Sequence, residues 1–173
     1  MKNFIYFRSL LFLVVFNSSV ATAGSFAELS TGLIKIDTPA AATEPKAIDF
    51  RLGYEISQHQ LELAFMKGTK EDTLNQLTSE VPSVLSLLYR YVVYPRDSLK
   101  IHYILGVSQI EVESTFSGTA VSSDRFDGVS YGLGLEESFE FHRQLKLKFD
   151  WIRLYQGDQI DITVKSLGLR YEF

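Results

Sequence analysis

Hydrophobic and polar residues alternate with a period of two through the last segment of the chain. From Leu167 to Phe173 every second residue is apolar, whereas Gly168, Arg170 and Glu172 occupy the positions between. Successive side chains of a β-strand point to opposite faces, so this spacing predicts a strand with one apolar and one polar face. The segment ends on an aromatic residue, unlike termini that fray into solvent. We therefore expect the last strand to separate an apolar medium from a polar one.

The same alternation predicts seven earlier strands, eight in all. The second is clear, because Ile48 and Phe50 alternate with Asp49 and Arg51. Apolar residues recur at every second position and not at the helical spacing, and Val, Ile, Phe and Tyr favour strands. Only 84–93 could also form a helical face, and we interpret it as a strand because the strand count requires one there. The predicted strands lie near 26–36, 48–56, 61–67, 83–94, 99–108, 129–141, 145–151 and 160–173.

The connections between these strands alternate in length. An up-and-down barrel with both chain ends on the side of the short turns requires this alternation, whereas a soluble sandwich does not. The short connections lie at 58–59, 95–97 and 142–144, the longer polar ones at 37–46, 68–81 and 113–127, and a brief fourth loop lies near 157–158.

The short turns also predict a register for the strands they join. Most of the predicted pairs join side chains of matching polarity. One pair sets Glu55 opposite Glu62, and like charges opposed across strands are unfavourable. The predicted pairs are Ile56 with Leu61, Glu55 with Glu62, Val92 with Lys100, Arg90 with His102, Glu140 with Lys146, and Phe139 with Leu147.

The start of the chain has the parts of a secretory signal peptide. Basic residues come first, an apolar run follows at 10–16, and Ala21 to Ala23 has the small-residue spacing of a cleavage site. The run is shorter than the ~20 apolar residues of a membrane-spanning helix. We predict a signal peptide over 1–23 and one domain over 24–173, a mature chain of 173 − 23 = 150 residues. An uncleaved anchor or a buried helix is the alternative.

Composition narrows the classes of function. The chain has no cysteine, which excludes disulfides, thiolate zinc sites and cysteine nucleophiles. Its 13 Phe and 9 Tyr, at a mean hydropathy near zero, suit a wall that faces lipid on one side and a polar lumen on the other. Without Lys2 and Arg8, the mature chain carries 17 − 2 = 15 basic residues against 21 acidic ones, a net charge of −6. Because it has no basic stripe, nucleic acid is not an expected partner.

Two segments support a resemblance to a known family. One is the glycine-rich stretch from Ser130 to Glu136, and the other is the final strand from Ser166 to Phe173. With them, the whole mature chain resembles the small outer-membrane protein β-barrel family, the group that contains the OmpA- and OmpX-type barrels. Because the sequence stops after the last predicted strand, we expect no C-terminal domain like that of OmpA, and the OmpX-like members are the nearer comparison.

The resemblance implies an all-β fold, an eight-stranded antiparallel up-and-down transmembrane β-barrel with periplasmic termini. Such a protein lies in the outer membrane of a Gram-negative bacterium after export through the periplasm. The implied partners are outer-membrane lipid and lipopolysaccharide, together with a barrel-insertion machinery that recognises the C-terminal strand through Leu169, Tyr171 and Phe173. Any specific surface ligand would then bind the extracellular loops.

The polar faces of the predicted strands would line the lumen. An interior of ~8 strands is just wide enough to be filled by side chains, and unpaired buried charges are costly. We therefore expect charges of both signs to pair and to close the lumen, with a narrow ion-conducting pore as the alternative. The predicted lumen charge network contains Arg51, Glu55, Arg90, Lys100, Glu136, Glu140, Lys146, Lys148, Asp150, Arg170 and Glu172.

The sequence offers no catalytic, cofactor or metal site. His59 and His142 lie in predicted turns and His102 faces the lumen, while the loop residues Ser122 and Asp124 have no base nearby to activate a serine. We expect a non-enzymatic barrel that serves envelope integrity or surface interaction through its loops. A barrel enzyme that modifies the acyl chains of lipid A is one alternative. A soluble barrel of lipocalin shape, with the two faces inverted, is another.

Overall fold

The structure is a computed structural model that describes residues 23–39, 41–95, 98–117 and 119–173. Residues 1–22 of the predicted signal peptide lie outside the described residues, as do Arg96 and Asp97 of the second predicted turn. The signal peptide therefore stays a prediction. Within the described ranges, no helix is both long enough and apolar enough to cross a membrane.

The described residues form ten strands. These are β1 (Ala23–Asp37), β2 (Ala42–Thr43), β3 (Lys46–Ile56), β4 (His59–Lys70), β5 (Asp72–Leu74), β6 (Leu77–Pro95), β7 (Leu99–Phe116), β8 (Ser122–Phe139), β9 (His142–Gln156) and β10 (Asp161–Glu172). All but β2 and β5 build the wall of an antiparallel barrel, which the pairing of β10 with β1 closes. The short β2 and β5 pair with β1 and β6. The predicted eight-stranded up-and-down barrel is confirmed, and the ambiguous segment 84–93 lies within β6.

The barrel has two different ends. We call one the turn end, since it holds Ala23, Phe173 and the tight turns at 57–58 and 140–141. We call the other the loop end, and its connections include 75–76 and 157–160. Wall strands β1, β4, β7 and β9 run from the turn end to the loop end, and the wall strands between them run back, as an up-and-down topology requires.

The wall strands are strongly tilted. Following cross-strand partners once around the wall from Leu33 leads back to β1 at Ala23, an offset of 33 − 23 = 10 residues. With a rise of ~3.3 Å per residue and ~4.8 Å between strands, this offset over eight strands gives a tilt of roughly 40°. The interior is narrow enough for side chains from non-neighbouring strands to meet.

The outer face of the wall is apolar, and the inner face carries the buried charges. Leu105 is 56% exposed and Phe50 is 45% exposed, whereas their chain neighbours Ile104 and Arg51 are buried. Arg170 is likewise buried beside the outward Tyr171. A soluble barrel of lipocalin shape has polar side chains outside and apolar ones inside, so this arrangement argues against that alternative.

The lumen contains two layers of side chains. The charged layer lies towards the turn end and consists of Glu28, Asp49, Arg51, Glu55, Glu62, Arg90, Lys100, Glu136, Lys146, Lys148, Asp150, Arg170 and Glu172. The apolar layer lies mainly towards the loop end and was not predicted. Its members pack as one cluster of Ile34, Ile36, Ala47, Ala64, Met66, Val81, Val84, Leu88, Ile104, Ile110, Val112, Ile152, Leu154, Ile162 and Val164.

The predicted loops 68–81 and 113–127 are wrong in extent, because much of each is strand. β6 begins at Leu77, and β7 and β8 pair as far as Ser114 with Ser122. Asn75 and Gln76 have φ of 52° and 68°, the left-handed pair that a two-residue type I′ hairpin turn requires. These hairpins continue beyond the apolar outer face, and their outward residues there are polar, so their composition looked like that of loops.

The three predicted turn registers are each wrong by two residues, and a shift of two keeps the paired strand residues on their predicted faces. Glu140, which lies in the third turn itself, is the exception. The first turn lies at 57–58, with Ser57 at φ 59°, and irregularities in pairing at Val92/Tyr94 and Ser138/Phe139 shift the other two. The predicted opposition of Glu55 and Glu62 therefore does not occur. The observed pairs are Tyr54 with Leu61, Glu55 with Gln60, Gly53 with Glu62, Val92 with His102, Arg90 with Ile104, Ser138 with Lys146, and Glu137 with Leu147.

Candidate functional site in the barrel lumen

A buried aspartate joins three wall strands across the lumen. Asp150 of β9 accepts hydrogen bonds from Arg51 of β3 at 2.6 Å and from Arg90 of β6 at 2.6 and 2.8 Å. Glu62 lies 2.7 Å from Arg90 Nε and completes the cage around that guanidinium. All four side chains are buried, and β3, β6 and β9 are not neighbours in the sheet, so these contacts cross the interior. Bidentate guanidinium–carboxylate pairs are among the strongest hydrogen-bonded contacts in proteins.

Further carboxylates neutralise the cations next to this centre. Asp49 accepts a hydrogen bond from Arg51 Nε at 2.6 Å. Lys148 Nζ lies 2.5 Å from Glu28 Oε2 and 3.1 Å from Glu62 Oε1, and all three are buried. Lys148 therefore connects the β1 side of the lumen to the β4 side.

A second group of ion pairs lies nearer the turn end. Arg170 of β10 donates to Glu136 and to Glu172, each at 2.8 Å, and also to Glu55. Lys100 donates to the other oxygen of Glu55 at 2.9 Å. Strands β3, β7, β8 and β10 are thus connected through shared carboxylates.

An aromatic ring supports Arg170 from the side of β1. The guanidinium carbon lies 3.6 Å from the centroid of the buried Phe26 ring, within the range of a cation–π contact. The ring fits because Gly53 lies beneath it. A Cβ added at Gly53 would lie 2.2 Å from a ring carbon of Phe26.

The charges of this layer nearly balance. Among the described residues, six cations (three Arg on β3, β6 and β10, and three Lys on β7 and β9) face seven carboxylates, and every member takes part in at least one ion pair. Isolated buried charges are costly, and this mutual pairing offsets that cost.

The structure places the predicted network residues as follows. Arg51, Arg90, Glu136, Lys146, Lys148, Asp150 and Arg170 are buried in the lumen, and Glu55, Lys100 and Glu172 are half-buried at its turn end. Glu140 is a correction, because the chain turns at 140–141 and leaves its side chain exposed outside the network. The lumen charge network predicted from the sequence omitted Glu28, Asp49 and Glu62, although the alternation placed each of them on a polar face.

His102 is an imidazole in the charged layer that makes no hydrogen bond to another described residue. It is buried on β7, its Nε2 lies 3.9 Å from Glu136, and neither ring nitrogen has a hydrogen-bond partner there. A ladder of three buried serines lies on the same side of the lumen. Ser108 Oγ lies 2.6 Å from both Ser86 Oγ and Ser130 Oγ, and Ser130 donates to the Leu154 carbonyl at 3.1 Å.

The other histidines lie at the turn end, away from the loop residues considered for catalysis. His59 Nδ1 lies 2.6 Å from the Tyr89 hydroxyl, and His142 lies beside the Tyr171 ring. At the loop end, Ser122 donates to Asp124 at 3.2 Å, with no histidine beside it in the described chain. No three His, Asp or Glu side chains of the described residues are arranged to hold a metal ion.

Comparisons with known proteins agree with this architecture. A family model for the outer membrane protein beta-barrel domain matches residues 9–173. No curated protein matches the chain. Among solved structures, Ail of Yersinia pestis is similar with a TM-score of 0.66 and 14% identity, covering 87% of this chain and 99% of Ail.

Two further solved structures have the same fold. Neisserial surface protein A has a TM-score of 0.63 at 11% identity, covering 88% of this chain and 100% of that one. The N-terminal β-barrel domain of OprF from Pseudomonas aeruginosa has a TM-score of 0.58 at 13% identity, covering 84% and 97%. At these identities the likeness concerns the fold alone.

Proposed function

Because the chain belongs to the outer membrane protein β-barrel family, we propose that it is a non-enzymatic barrel with a closed lumen, which supports envelope integrity and meets ligands at its loop end. The protein lies in the outer membrane, where the apolar outer face contacts lipid. The observation that carries the proposal is the bridge from Arg51 and Arg90 to Asp150 across the interior.

Closure is supported by the two layers of side chains, one charged and one apolar, that follow one another along the narrow lumen. An ion that entered from the turn end would have to separate the paired charges around Asp150. It would then meet the apolar layer, where side chains such as Ile110, Ile152 and Leu154 are fully buried and offer no polar partner. Wide aqueous channels belong to barrels of ~16 strands or more.

Conductance tests the proposed closure. The mature chain, refolded and inserted into a planar bilayer, is expected to pass no steady current above that of bare lipid. A porin of ~16 strands in the same chamber shows that the assay detects an open barrel. Steady, reproducible current steps from the refolded chain would favour the ion-pore alternative and overturn closure.

The absence of enzymatic activity is proposed from the loop end. Ser122 donates to the exposed carboxylate of Asp124, a weak base, and no histidine of the described residues lies beside it to take the proton of the serine. Expression of the barrel is expected to leave the mass spectrum of lipid A unchanged. A change of acyl chains that disappears in the Ser122→Ala variant would establish the enzyme alternative.

Interaction at the loop end is supported by the extension of β6, β7 and β8 beyond the apolar outer face. This extension carries paired polar residues, including Ser83 with Glu111 at 2.8 Å and Gln109 with Asp127 at 2.8 Å. A solved structure of Ail contains the heparin analogue sucrose octasulfate, so a barrel of this fold binds a polyanion. We propose a surface ligand for this chain on that basis, without assigning its identity.

A further inference from the structure

A cleft of about 660 Å³ lies at the loop end of the barrel. Its lining comes from three places, which are the outer part of β8, the end of β9 with the turn at 157–160, and residues 38–39 after β1. On β8, Asp124 and Phe126 lie opposite the buried Val112 and Ile110 of β7, so both are on the lumen side of the strand. A cleft of this volume is in the usual size range of small-molecule sites. We call it the mouth cleft.

The base of the mouth cleft is apolar and aromatic. The ring centroids of Phe126 and Tyr155 are 5.2 Å apart, and both side chains pack with Ile160 against the apolar layer of the lumen. Tyr155 would face lipid if the alternation of β9 were regular. The irregular pairing between Ile162 and Thr163 instead sets Tyr155 opposite the buried Ile162, which brings its ring to the lumen side.

Two glycines leave the space that the Tyr155 ring occupies. A Cβ added at Gly128 or at Gly157 would lie 2.8 Å from a carbon of that ring. The backbone N–H of Gly157 also donates to the Ile160 carbonyl at 3.0 Å, which closes the turn beside the ring. The aromatic base is therefore formed without a ligand, as most small-molecule sites are.

Two carboxylates without a cationic partner line the same cleft. Asp124 of β8 and Asp158 of the turn after β9 are exposed, and neither makes an ion pair within the described chain. Beside the cleft, Asp161 lies directly opposite Asp37 across β10 and β1, and its Oδ1 is buried with no hydrogen-bond partner among the described residues. The potential at the mouth cleft is therefore negative.

The basic residues nearest in the chain to these carboxylates do not line the cleft. Lys35 pairs with Asp37. Arg125 lies opposite Glu111 on the outer face of β8, and its Nε is 4.0 Å from Asp127. Arg153 is also on the outer face, where it donates to the Tyr131 hydroxyl at 3.3 Å.

We propose that the mouth cleft binds a small organic cation with an aromatic or other apolar body. The apolar body would lie against Phe126 and Tyr155, and the positive group beside Asp124 and Asp158. Aromatic faces attract cations as well, and quaternary ammonium ligands are bound in this way. The proposal gives a ligand class to the loop-end interaction proposed above and rests on it, and it does not depend on closure of the lumen.

Four small probes separate charge from shape. The refolded barrel in neutral micelles is titrated with benzyltrimethylammonium, and saturation-transfer NMR gives the dissociation constant, with empty micelles as the blank. Benzenesulfonate has the ring with the opposite charge, tetramethylammonium has the charge without the ring, and maltose is a neutral sugar. The wild type is expected to bind benzyltrimethylammonium roughly fivefold or more tightly than each of the others, because the carboxylates and the rings both contribute.

The variant D124N/D158N removes both carboxylates of the cleft and keeps their shape. It is expected to bind benzyltrimethylammonium roughly tenfold more weakly than the wild type, since each exposed ion pair contributes up to about 1 kcal/mol. The control E111Q/D127N removes two carboxylates of the neighbouring outer face and is expected to bind within about twofold of the wild type, because exposed charges at a distance are screened. Heat-modified migration in a gel verifies that both variants are folded.

Equal weakening by D124N/D158N and E111Q/D127N would overturn the proposal. Binding of benzenesulfonate, tetramethylammonium or maltose as tightly as benzyltrimethylammonium would also overturn it. If D124N/D158N does not fold, the wild type decides, since its affinity for benzyltrimethylammonium must fall as salt rises. A barrel that binds none of the four probes would refute this ligand class and leave the proposed function intact, because conductance and lipid A analysis test that function separately.

Discussion

Asp150 is the residue on which the charged layer depends most, because it shares its two oxygens between Arg51 and Arg90. We predict that Asp150→Asn lowers the free energy of unfolding by roughly 3–5 kcal/mol, since breaking a buried pair leaves uncompensated charge. Urea titration of the refolded barrel measures the change. Asp158→Asn, in the exposed loop before β10, is the control and is expected to change stability by less than ~0.5 kcal/mol. Equal effects of the two variants would mean that the lumen is hydrated and the bridge unimportant.

Gly53 is a residue whose small size is required by a specific neighbour. A methyl group there would lie 2.2 Å from the Phe26 ring that packs on Arg170, whereas a methyl group at Gly24 has no atom within 4 Å. We predict that Gly53→Ala destabilises the barrel by roughly 1–3 kcal/mol through overpacking. Gly24→Ala is expected to be neutral or slightly stabilising, since Ala loses less backbone entropy than Gly. A neutral Gly53→Ala would contradict the described position of the Phe26 ring.

At the scale of the element, the terminal strand β10 combines closure of the wall with the predicted insertion signal. Phe173 donates its backbone N–H to the Ser25 carbonyl at 3.0 Å, and its side chain is 71% exposed next to the Tyr171 ring. Leu169, Tyr171 and Phe173 all lie on the outer face, where another protein could reach them before the barrel is in lipid. Recognition by insertion machinery remains a prediction.

We predict that Phe173→Ser lowers the amount of folded barrel in the outer membrane several-fold while leaving refolding into micelles almost unchanged. Phe116→Ser, an exposed aromatic at the loop end, is the control and should leave assembly unchanged. Quantification of the folded, heat-modifiable band in membrane fractions decides. Normal assembly of Phe173→Ser would show that the terminal aromatic is not part of the insertion signal.

The same elements show what the sequence could and could not predict. The period of two in Ile48–Ile56 and in Leu167–Phe173 gave the strands and their faces correctly, because one face must be apolar and the other polar. Registers failed by two residues at all three turns, since turns at 57–58 and at 58–59 are equally polar and both keep the faces. The hairpin around Asn75 and Gln76 was missed because residues 71–78 are mostly polar, so no alternation marks strands there.

At the scale of the whole molecule, the charged layer was anticipated in kind and the apolar layer was not. Some apolar residues are adjacent in the chain, with one facing outward and the next facing the lumen, as in Leu33 with Ile34 and Leu87 with Leu88. From the sequence alone, such a pair looks like a break in the alternation and does not indicate an apolar lumen. The missed carboxylates Glu28, Asp49 and Glu62 had the right face, but their partners come from distant strands that only the closed barrel brings together.

The most direct test of the filled lumen uses the absence of native cysteine. Single variants Val164→Cys in the apolar layer and Asp158→Cys in the exposed loop are refolded in lipid and treated with a charged, water-soluble thiol reagent. Val164 is 1% exposed inside the barrel, so its thiol is predicted to stay unlabelled until the barrel is unfolded, while the thiol at 158 is labelled at once. Labelling of both thiols at similar rates in the folded barrel would contradict the account.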